Sequence, residues 1–155
     1  MDIRSATEID VPALLEMTRD FFAWESIPFD AARLEPALRK LLSSGELGHA
    51  WLLEVDRSTV GYAIVTFGFD LEFSGRDAFL TDLFLKPAWR DRGVGRRALA
   101  LVLEKAQHAG VHALHLLVDP TNERAVRLYE RAGFERSHRV AMTMRIDGDL
   151  DAGPR

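Results

Sequence analysis

The 155-residue chain carries a formal net charge of −4, and 47% of its residues are hydrophobic. These values predict one globular domain with a substantial core, and they disfavour a general nucleic-acid binder, which usually presents a basic face. The chain contains no cysteine, which excludes disulfides, thiol nucleophiles and thiolate metal sites.

The N-terminal stretch MDIRSATEID has no apolar run behind a basic start, so no signal peptide is expected. No apolar stretch approaches the roughly 20 residues that a membrane span requires. We therefore expect a soluble, cytoplasmic protein that has no membrane partner.

The first half of the chain predicts one strand, two helices and an antiparallel meander. DIRSA has the composition of a short strand. The first helical pattern has Asp10 as its N-cap and Pro12 in its first turn, and the second covers residues 30–42. Short polar turns that indicate hairpins separate the β-branched and aromatic runs HAWLLEVD, TVGYAIVTFGFDLEF and AFLTDLFLKP.

The second half predicts a parallel β-α-β unit. Apolar positions between residues 94 and 106 follow one helix face, and Gly110 ends that helix. ALHLLVD is typical of a strand, and PTNERAVRLYERAGF predicts a helix that Gly133 ends. VAMTMRI, residues 140–146, predicts a last strand. Residues 1–146 would form the single domain, and the Gly/Asp/Pro-rich residues 147–155 would form a flexible tail.

The stretch RDRGVG, residues 90–95, lies between a predicted strand and a predicted helix. Free N–H groups at a helix start attract anions, and glycine lets a phosphate approach the backbone closely. The positive charge at this end comes from Arg90, Arg92, Arg96 and Arg97, and arginine favours bidentate phosphate contacts. The pattern indicates a phosphorylated ligand, and an ordinary helix start with a solvated basic surface is the alternative.

A dinucleotide-binding fold is a second interpretation of the same glycines. Gly93, Gly95 and Ala98 satisfy the pattern G-x-G-x-x-G/A, and Asp119 ends the next predicted strand, where a ribose-binding acid could lie. A nicotinamide or flavin oxidoreductase is therefore an alternative. The intervening KPAWRDR, the preceding antiparallel meander and the short remaining chain argue against it.

Two motifs between residues 81 and 134 together resemble the GNAT superfamily, the acyl-CoA-dependent N-acetyltransferases. The first is R/Q-x-x-G-x-G/A after a strand, here residues 90–95. The second is N-x-x-A-x-x-L-Y-x-x-x-G-F, whose register is occupied here by Asn122, Ala125, Leu128, Tyr129, Gly133 and Phe134. The resemblance implies an α/β (α+β) fold: a mixed, mostly antiparallel sheet of about six to seven strands flanked by about four helices. The parallel β-α-β unit would lie at the coenzyme A site.

The resemblance implies an enzyme that moves an acetyl group from acetyl-CoA to a primary amine by direct attack in a ternary complex, without an acyl-enzyme. A small molecule or a peptide would supply the amine. A non-catalytic acyl-CoA-binding or partner module is an alternative from another class. Dimers are common among such domains, so a homodimer is an open alternative to a monomer.

The resemblance also implies a coenzyme site. The loop from residue 90 to residue 96 would hold the pyrophosphate, the backbone of Phe84 and Leu85 would pair with the pantetheine arm, and Asn122 would contact that arm from the other side. The full set of cofactor-binding candidates is Phe84, Leu85, Arg90, Asp91, Arg92, Gly93, Val94, Gly95, Arg96, Asn122, Ala125 and Tyr129.

Acetyl transfer to an amine needs a proton acceptor for the amine, an oxyanion donor and a proton for the departing thiolate. The resemblance places Tyr129 near the thioester sulfur, so Tyr129 is the candidate acid. Asp82 is the candidate base, directly or through water. Two positions depart from the family pattern, since position 91 is often glycine and position 82 is often glutamate. The shorter Asp82 leaves the identity of the base open.

Aromatic and acidic residues in two segments are the candidates for binding the acceptor. Aromatic rings with nearby carboxylates can hold a cationic amine. The candidates are Trp24, Glu25 and Phe29 in FFAWESIPFD, and Phe67 and Phe69 in FGFDLEF. For each of them an ordinary core or turn role is the alternative. His108 and His112 have a helical metal spacing, but Gly110 separates them, so no metal site is expected.

Overall fold

The computed structural model describes residues 1–146, and the tail predicted over residues 147–155 lies outside the described residues. The described range forms five strands and four α-helices. In chain order these are β1 (Asp2–Ser5), α1 (Val11–Trp24), α2 (Ala31–Ser43), β2 (Gly48–Val55), β3 (Ser58–Asp70), β4 (Gly75–Leu85), α3 (Val94–His108), β5 (Ala113–His115) and α4 (Glu123–Arg131).

The strands form one sheet in the order β1-β2-β3-β4-β5. The first four strands are antiparallel neighbours, and β5 pairs with β4 in parallel. The β2–β3 hairpin turns at Asp56 and Arg57, whose φ values of 50° and 64° suit a two-residue hairpin turn. The predicted fold class is confirmed, including the parallel unit β4-α3-β5.

The sheet has a hydrophobic core on each face. Helices α1 and α2 cover one face, where the buried side chains include Leu14, Met17, Leu38, Leu52 and Tyr62. Helix α3 covers the other face and α4 packs at its margin, where the buried side chains include Ala63, Val65, Leu80, Leu99 and Val102. Burial of apolar area on both faces is the main stabilising contribution to this layered fold.

A bulge in β4 changes which face its side chains occupy. Ile64 lies opposite Asp82 while Val65 lies opposite Leu80, so one residue of β4 is extra. Residues before the bulge, such as Leu80, contact the core under α3. The extra residue reverses the alternation, because side chains of a strand point to opposite faces in turn. Asp82 consequently lies on the face that carries α1.

The sequence-based prediction of six to seven strands is wrong for the described range, which contains five. The predicted strand at residues 140–146 is not formed. Its alternating apolar side chains are 84% to 93% exposed: Val140, Met142, Met144 and Ile146. Alternation indicates a strand only where a sheet edge pairs with it and buries one face. β5 is also shorter than predicted, with three residues, so it presents little edge.

Asp10 differs from its predicted role at the start of α1. It occupies the N-cap position, but no described residue of α1 donates to its side chain. Its carboxylate instead accepts from the backbone N–H of Thr7 at 2.8 Å and pairs with Arg4 at 2.7 Å. Over residues 1–146, the helices are all too short or too polar to cross a bilayer.

Candidate active site

A cleft opens where β4 and β5 separate. Their pairing ends at Phe79 and His115, whereas β4 continues to Leu85. Beyond the last pair, an edge of β4 borders an open volume of about 910 Å³. The end of α1, the N-terminus of α3 and one side of α4 form the other walls. An extended ligand could therefore bind along β4 as an additional strand.

The N-terminus of α3 forms one end of this cleft. Gly93 precedes the helix with a φ of 74°, a left-handed conformation that favours glycine. No side chain in the described range caps this helix start, so the N–H groups of its first turn are available to an anion. Arg90 and Arg96 line the same end. Gly95 also lines it, and a Cβ there would meet Leu85 and Leu128 only at 3.6 Å.

The departure at position 91 has a structural explanation. Asp91 has a φ of 61°, which accounts for glycine being common at this position and which aspartate tolerates better than most residues. Its carboxylate pairs with Arg124 on α4 at 2.9 Å. The pair directs the negative charge toward a cation and not toward an incoming phosphate.

Arg90 connects the coenzyme loop to the end of α1. Its Nε donates to the carbonyl oxygen of Leu85 at 2.9 Å. Its guanidinium carbon lies 4.7 Å from the centre of the Trp24 ring and 5.6 Å from that of Phe84. Burial, with the charge of nearby Arg124, lowers the pKa of Arg90, which nevertheless remains a cation at neutral pH.

Asn122 is the N-cap of α4. Its side-chain oxygen accepts from the backbone N–H of Ala125 at 3.1 Å, and this bond orients the first turn of α4 toward the cleft. Because the oxygen is used as a cap, the amide nitrogen is the group that can contact a ligand. Both residues line the cleft.

The two candidate catalytic residues lie on different walls. Asp82 comes from β4 and Tyr129 from α4, and both line the cleft. Burial raises the pKa of Asp82 to about 6, although a hydrogen bond from Tyr62 opposes the rise. Burial, together with the charge of Glu25, raises the pKa of Tyr129 to about 12. At neutral pH one wall presents a carboxylate and the other a protonated phenol.

The structure brings most of the predicted site residues into one cleft. These are Trp24, Glu25, Asp82, Phe84, Leu85, Arg90, Asp91, Gly93, Gly95, Arg96, Asn122, Ala125 and Tyr129. Two coenzyme candidates, Arg92 and Val94, are not among the residues that line it. The guanidinium carbon of Arg92 lies 6.0 Å from the centre of the Trp89 ring, and Val94 packs against the core.

The aromatic candidates for binding the acceptor also divide into residues that line the cleft and residues that do not. Phe29 does not line the cleft but packs edge-on against Phe22, which does. Phe67 packs against the core under α3, and Phe69 is 74% exposed near the end of β3. Neither Phe67 nor Phe69 is among the residues that line the cleft, and their role in binding the acceptor stays a prediction.

Two residues near the site were not identified from the sequence. Tyr62 donates a hydrogen bond to Asp82, and Arg124 pairs with Asp91. Nothing in the alternation of β3 separates Tyr62 from an ordinary core residue. Arg124 lies within the second motif, two residues after Asn122, and the unusual acid at position 91 was the signal that a compensating cation lay nearby.

An open edge of β4, an uncapped helix start and an arginine-lined end form a cleft that suits an extended, anionic ligand, with a carboxylate and a phenol beside it. The chain belongs to the Acetyltransferase (GNAT) family, whose model matches residues 12–134. It is therefore an acetyltransferase, as the two sequence motifs predicted.

Known proteins agree with this assignment. The chain is 29% identical over 140 residues to the thialysine N-epsilon-acetyltransferase of Bos taurus, covering 84% of this chain and 82% of that one. An integron cassette protein from the mobile metagenome of Cole Harbour Salt Marsh is 30% identical, with a TM-score of 0.82 over 93% of this chain and 90% of that one. A protein from Clostridium acetobutylicum described as a predicted acetyltransferase, crystallised with acetyl-CoA, shares the fold at 18% identity, with a TM-score of 0.77 over 92% of this chain and 95% of that one.

The dinucleotide-binding alternative is wrong. That fold needs successive β-α-β units around a parallel sheet, whereas strands β1 to β4 are antiparallel neighbours here. A 3-10 turn over Pro87–Trp89 also separates β4 from the glycine loop. The glycines therefore belong to the family motif R/Q-x-x-G-x-G/A.

Proposed function

We propose that the protein transfers an acetyl group from acetyl-CoA to a primary amine by direct attack in a ternary complex. The observation that supports this most strongly is the cleft itself, because it combines a free strand edge with an uncapped helix start. The strand edge suits the amide-rich pantetheine arm, and the helix start suits the pyrophosphate. The thioester would then lie between the walls that carry Asp82 and Tyr129.

The charge distribution suits the two substrates. Five arginines line the cleft, namely Arg90, Arg96, Arg124, Arg127 and Arg131, although the chain as a whole is acidic. The part near the end of α1 instead combines Glu25 and Asp82 with aromatic rings. We assign the arginine-rich part to the coenzyme phosphates and the acidic, aromatic part to the amine.

The reaction follows from the protonation states of the two walls. The Asp82 carboxylate accepts a proton from the acceptor ammonium group, directly or through water, and the free amine attacks the thioester carbonyl carbon. A backbone N–H of β4 stabilises the oxyanion of the tetrahedral intermediate. When the carbon–sulfur bond breaks, the thiolate takes the phenolic proton of Tyr129. The nitrogen became cationic on attack, and it releases its surplus proton through water to the Tyr129 phenolate, while Asp82 returns its own proton to solvent. The products are the acetylated amine and free coenzyme A.

Coenzyme binding is tested by Gly95→Glu. A Cβ fits at this position, and an acidic side chain suits the first turn of a helix, so the fold should survive. The rest of the side chain would place a negative charge where the pyrophosphate is expected. We expect calorimetry to show that acetyl-CoA affinity falls at least about a hundredfold, since a buried like-charge contact costs several kcal/mol.

Gly45→Glu is the matched control. Gly45 lies between α2 and β2, outside the cleft lining, and a Cβ there would approach only His49, at 3.9 Å. This variant should bind acetyl-CoA like the unmodified protein. Native affinity in a folded Gly95→Glu variant would contradict the proposed coenzyme site.

Catalysis is tested by thiol release from acetyl-CoA with a panel of spermidine, lysine, kanamycin and a peptide with a free N-terminus. We expect at least one amine to release coenzyme A at a rate that saturates with amine concentration. Binding of acetyl-CoA without release for any amine would instead support the non-catalytic acyl-CoA-binding module.

A further inference from the structure

Tyr62 is a buried polar residue that the reaction described above does not use. Its side chain is fully buried, with a relative exposure of 0%. Its hydroxyl donates to Oδ2 of Asp82 at 2.8 Å. Tyr62 does not line the cleft, whereas Asp82 does. The phenol therefore reaches the carboxylate from the core side while the ligand space lies on the other side.

The sheet holds this pair in a fixed relation. Tyr62 lies opposite Phe84 across β3 and β4, and Asp82 lies opposite Ile64, so the pair is a diagonal neighbour on one face. The β4 bulge is what places Asp82 on this face. The Tyr62 ring lies 5.9 Å from the Phe84 ring and belongs to the core under α1 and α2. Close packing in that core holds the ring in place.

The hydroxyl remains a donor throughout the working pH range. Burial and the adjacent Asp82 charge both raise the pKa of Tyr62 above its ordinary value. Thr18 of α1 forms a side-chain hydrogen bond with Tyr62. The other titratable groups that line the neighbouring cleft come from four places: the residue after α1, the loop and start of α3, the segment before α4, and α4 itself. They are Glu25, Arg90, Asp91, Arg96, Asp119, Arg124, Arg127, Tyr129 and Arg131. Among the described side chains, Tyr62 is the one that donates a hydrogen bond to Asp82.

We propose that Tyr62 is a positioning residue for the reaction: its hydroxyl holds Oδ2 of Asp82 from the core side, which keeps the carboxylate ionised and leaves Oδ1 to accept the amine proton. A charge-assisted hydrogen bond of this kind favours the ionised form of the acceptor. The hydrogen bond from Tyr62 offsets part of the free-energy cost of burying the ionised Asp82 carboxylate. The proposal rests on the proposed function, in which Asp82 is the base.

The first measurement follows Asp82 without any acceptor. Carboxyl carbon NMR gives the titration of each aspartate, and Asp82→Asn identifies the resonance of Asp82 by its loss. In Tyr62→Phe the Asp82 midpoint, a pKa of about 6 with Tyr62 in place, should rise by about one pH unit, since the variant loses a charge-assisted hydrogen bond that favours the ionised form. Tyr129→Phe is the matched control for this titration, because in the described range the hydrogen bond to Asp82 comes from Tyr62 and not from Tyr129.

The second measurement follows turnover with the panel amine that reacts fastest. The acid limb of kcat/KM should move upward in Tyr62→Phe by the same amount as the NMR midpoint. At pH 5 the variant should therefore be about tenfold slower than the unmodified protein, and at pH 8.5 within about twofold. The titration of the amine itself cancels in this ratio. In an Asp82→Asn background, Tyr62→Phe should leave the pH profile unchanged.

The outcomes separate the positioning role from the proposed function. If Asp82→Asn leaves the pH dependence of kcat/KM unchanged, Asp82 is not the base, and the positioning role of Tyr62 fails with it. The other combination is that Asp82→Asn changes the pH profile of kcat/KM while Tyr62→Phe leaves the NMR midpoint of Asp82 where it was. That combination would overturn the positioning role of Tyr62 and leave Asp82 as the base. If Tyr62→Phe does not fold, 3,5-difluorotyrosine can be incorporated in a Tyr129→Phe background, where Tyr62 is the single tyrosine. The more acidic phenol is a stronger donor and should lower the Asp82 midpoint, and no change would overturn the proposal.

Discussion

Individual side chains in the cleft carry the chemistry, and Tyr129 allows the most direct test. Tyr129→Phe removes one oxygen and retains the ring that packs edge-on against Phe134 at 5.8 Å. We expect kcat to fall about 10²- to 10⁴-fold, because a positioned proton donor contributes about that factor. Acetyl-CoA affinity should change little in calorimetry. Full kcat across pH 6 to 9 would show that Tyr129 only packs.

Asp82 links catalysis to the pH dependence of folding. Its pKa of about 6 in the folded protein exceeds the ordinary value of 3.8, so the folded state favours the protonated acid. Protonation of Asp82 therefore contributes to the free energy of unfolding, and this contribution is fully present below about pH 4 and is lost as the pH rises through 6.

Asp82→Asn removes this titration. Relative to the unmodified protein, the variant should gain about 1 to 3 kcal/mol of stability between pH 4.5 and pH 7.5. Urea denaturation at a series of pH values measures the difference, in which the other titratable groups cancel. A difference that is independent of pH would contradict a raised Asp82 pKa. A base that reduces stability where it is ionised is a common compromise in active sites.

Among the secondary-structure elements, the end of α1 is where acceptor recognition is expected. Trp24 is 65% exposed there and lines the cleft. Trp24→Ala should raise the KM of the acceptor about 3- to 30-fold, which is the range of a lost cation–π contact. Acetyl-CoA affinity should remain nearly the same.

Phe69→Ala is the matched control for this substitution. Phe69 is an exposed aromatic residue that does not line the cleft. Its replacement should leave both the KM of the acceptor and the affinity for acetyl-CoA unchanged. Equal losses of acceptor and coenzyme affinity in Trp24→Ala would indicate damage to the end of α1 and not a lost acceptor contact.

Strong local patterns explain which elements were predicted correctly. Helix α2 was predicted closely because Asp30 caps it, accepting from Ala32 and Arg33. The β2–β3 hairpin was predicted because two strand patterns met at a short polar join. The bulge in β4 was not predictable, since it depends on the register against β3 and leaves no mark in the alternation. Without the bulge, neither the orientation of Asp82 nor its contact with Tyr62 can be inferred.

Across the full fold, the motif residues were located better than the residues around them. The glycine loop and Asn122 lie in the cleft because each is adjacent to a helix start that the sequence specifies. The acceptor candidates depended on distances between separate elements, which a local pattern does not supply, and Phe67 and Phe69 are not among the residues that line the cleft. The strand predicted over residues 140–146 was wrong because a local alternating pattern does not supply the neighbouring edge that would pair with it.

The stacking of Arg90 on Trp24 has an optical consequence. A guanidinium 4.7 Å from the centre of an exposed indole ring perturbs its fluorescence. A pyrophosphate that draws Arg90 toward the start of α3 removes that cation from the ring. Of the other two tryptophans, Trp51 is only 3% exposed and lies in the core, so it supplies a steady background emission. Trp89 lies next to the glycine loop, with the Arg92 guanidinium 6.0 Å from its ring centre, and can add to the response. The protein thus contains an intrinsic fluorophore at the junction of its two proposed substrate sites, and we expect coenzyme binding to alter its emission without any attached label.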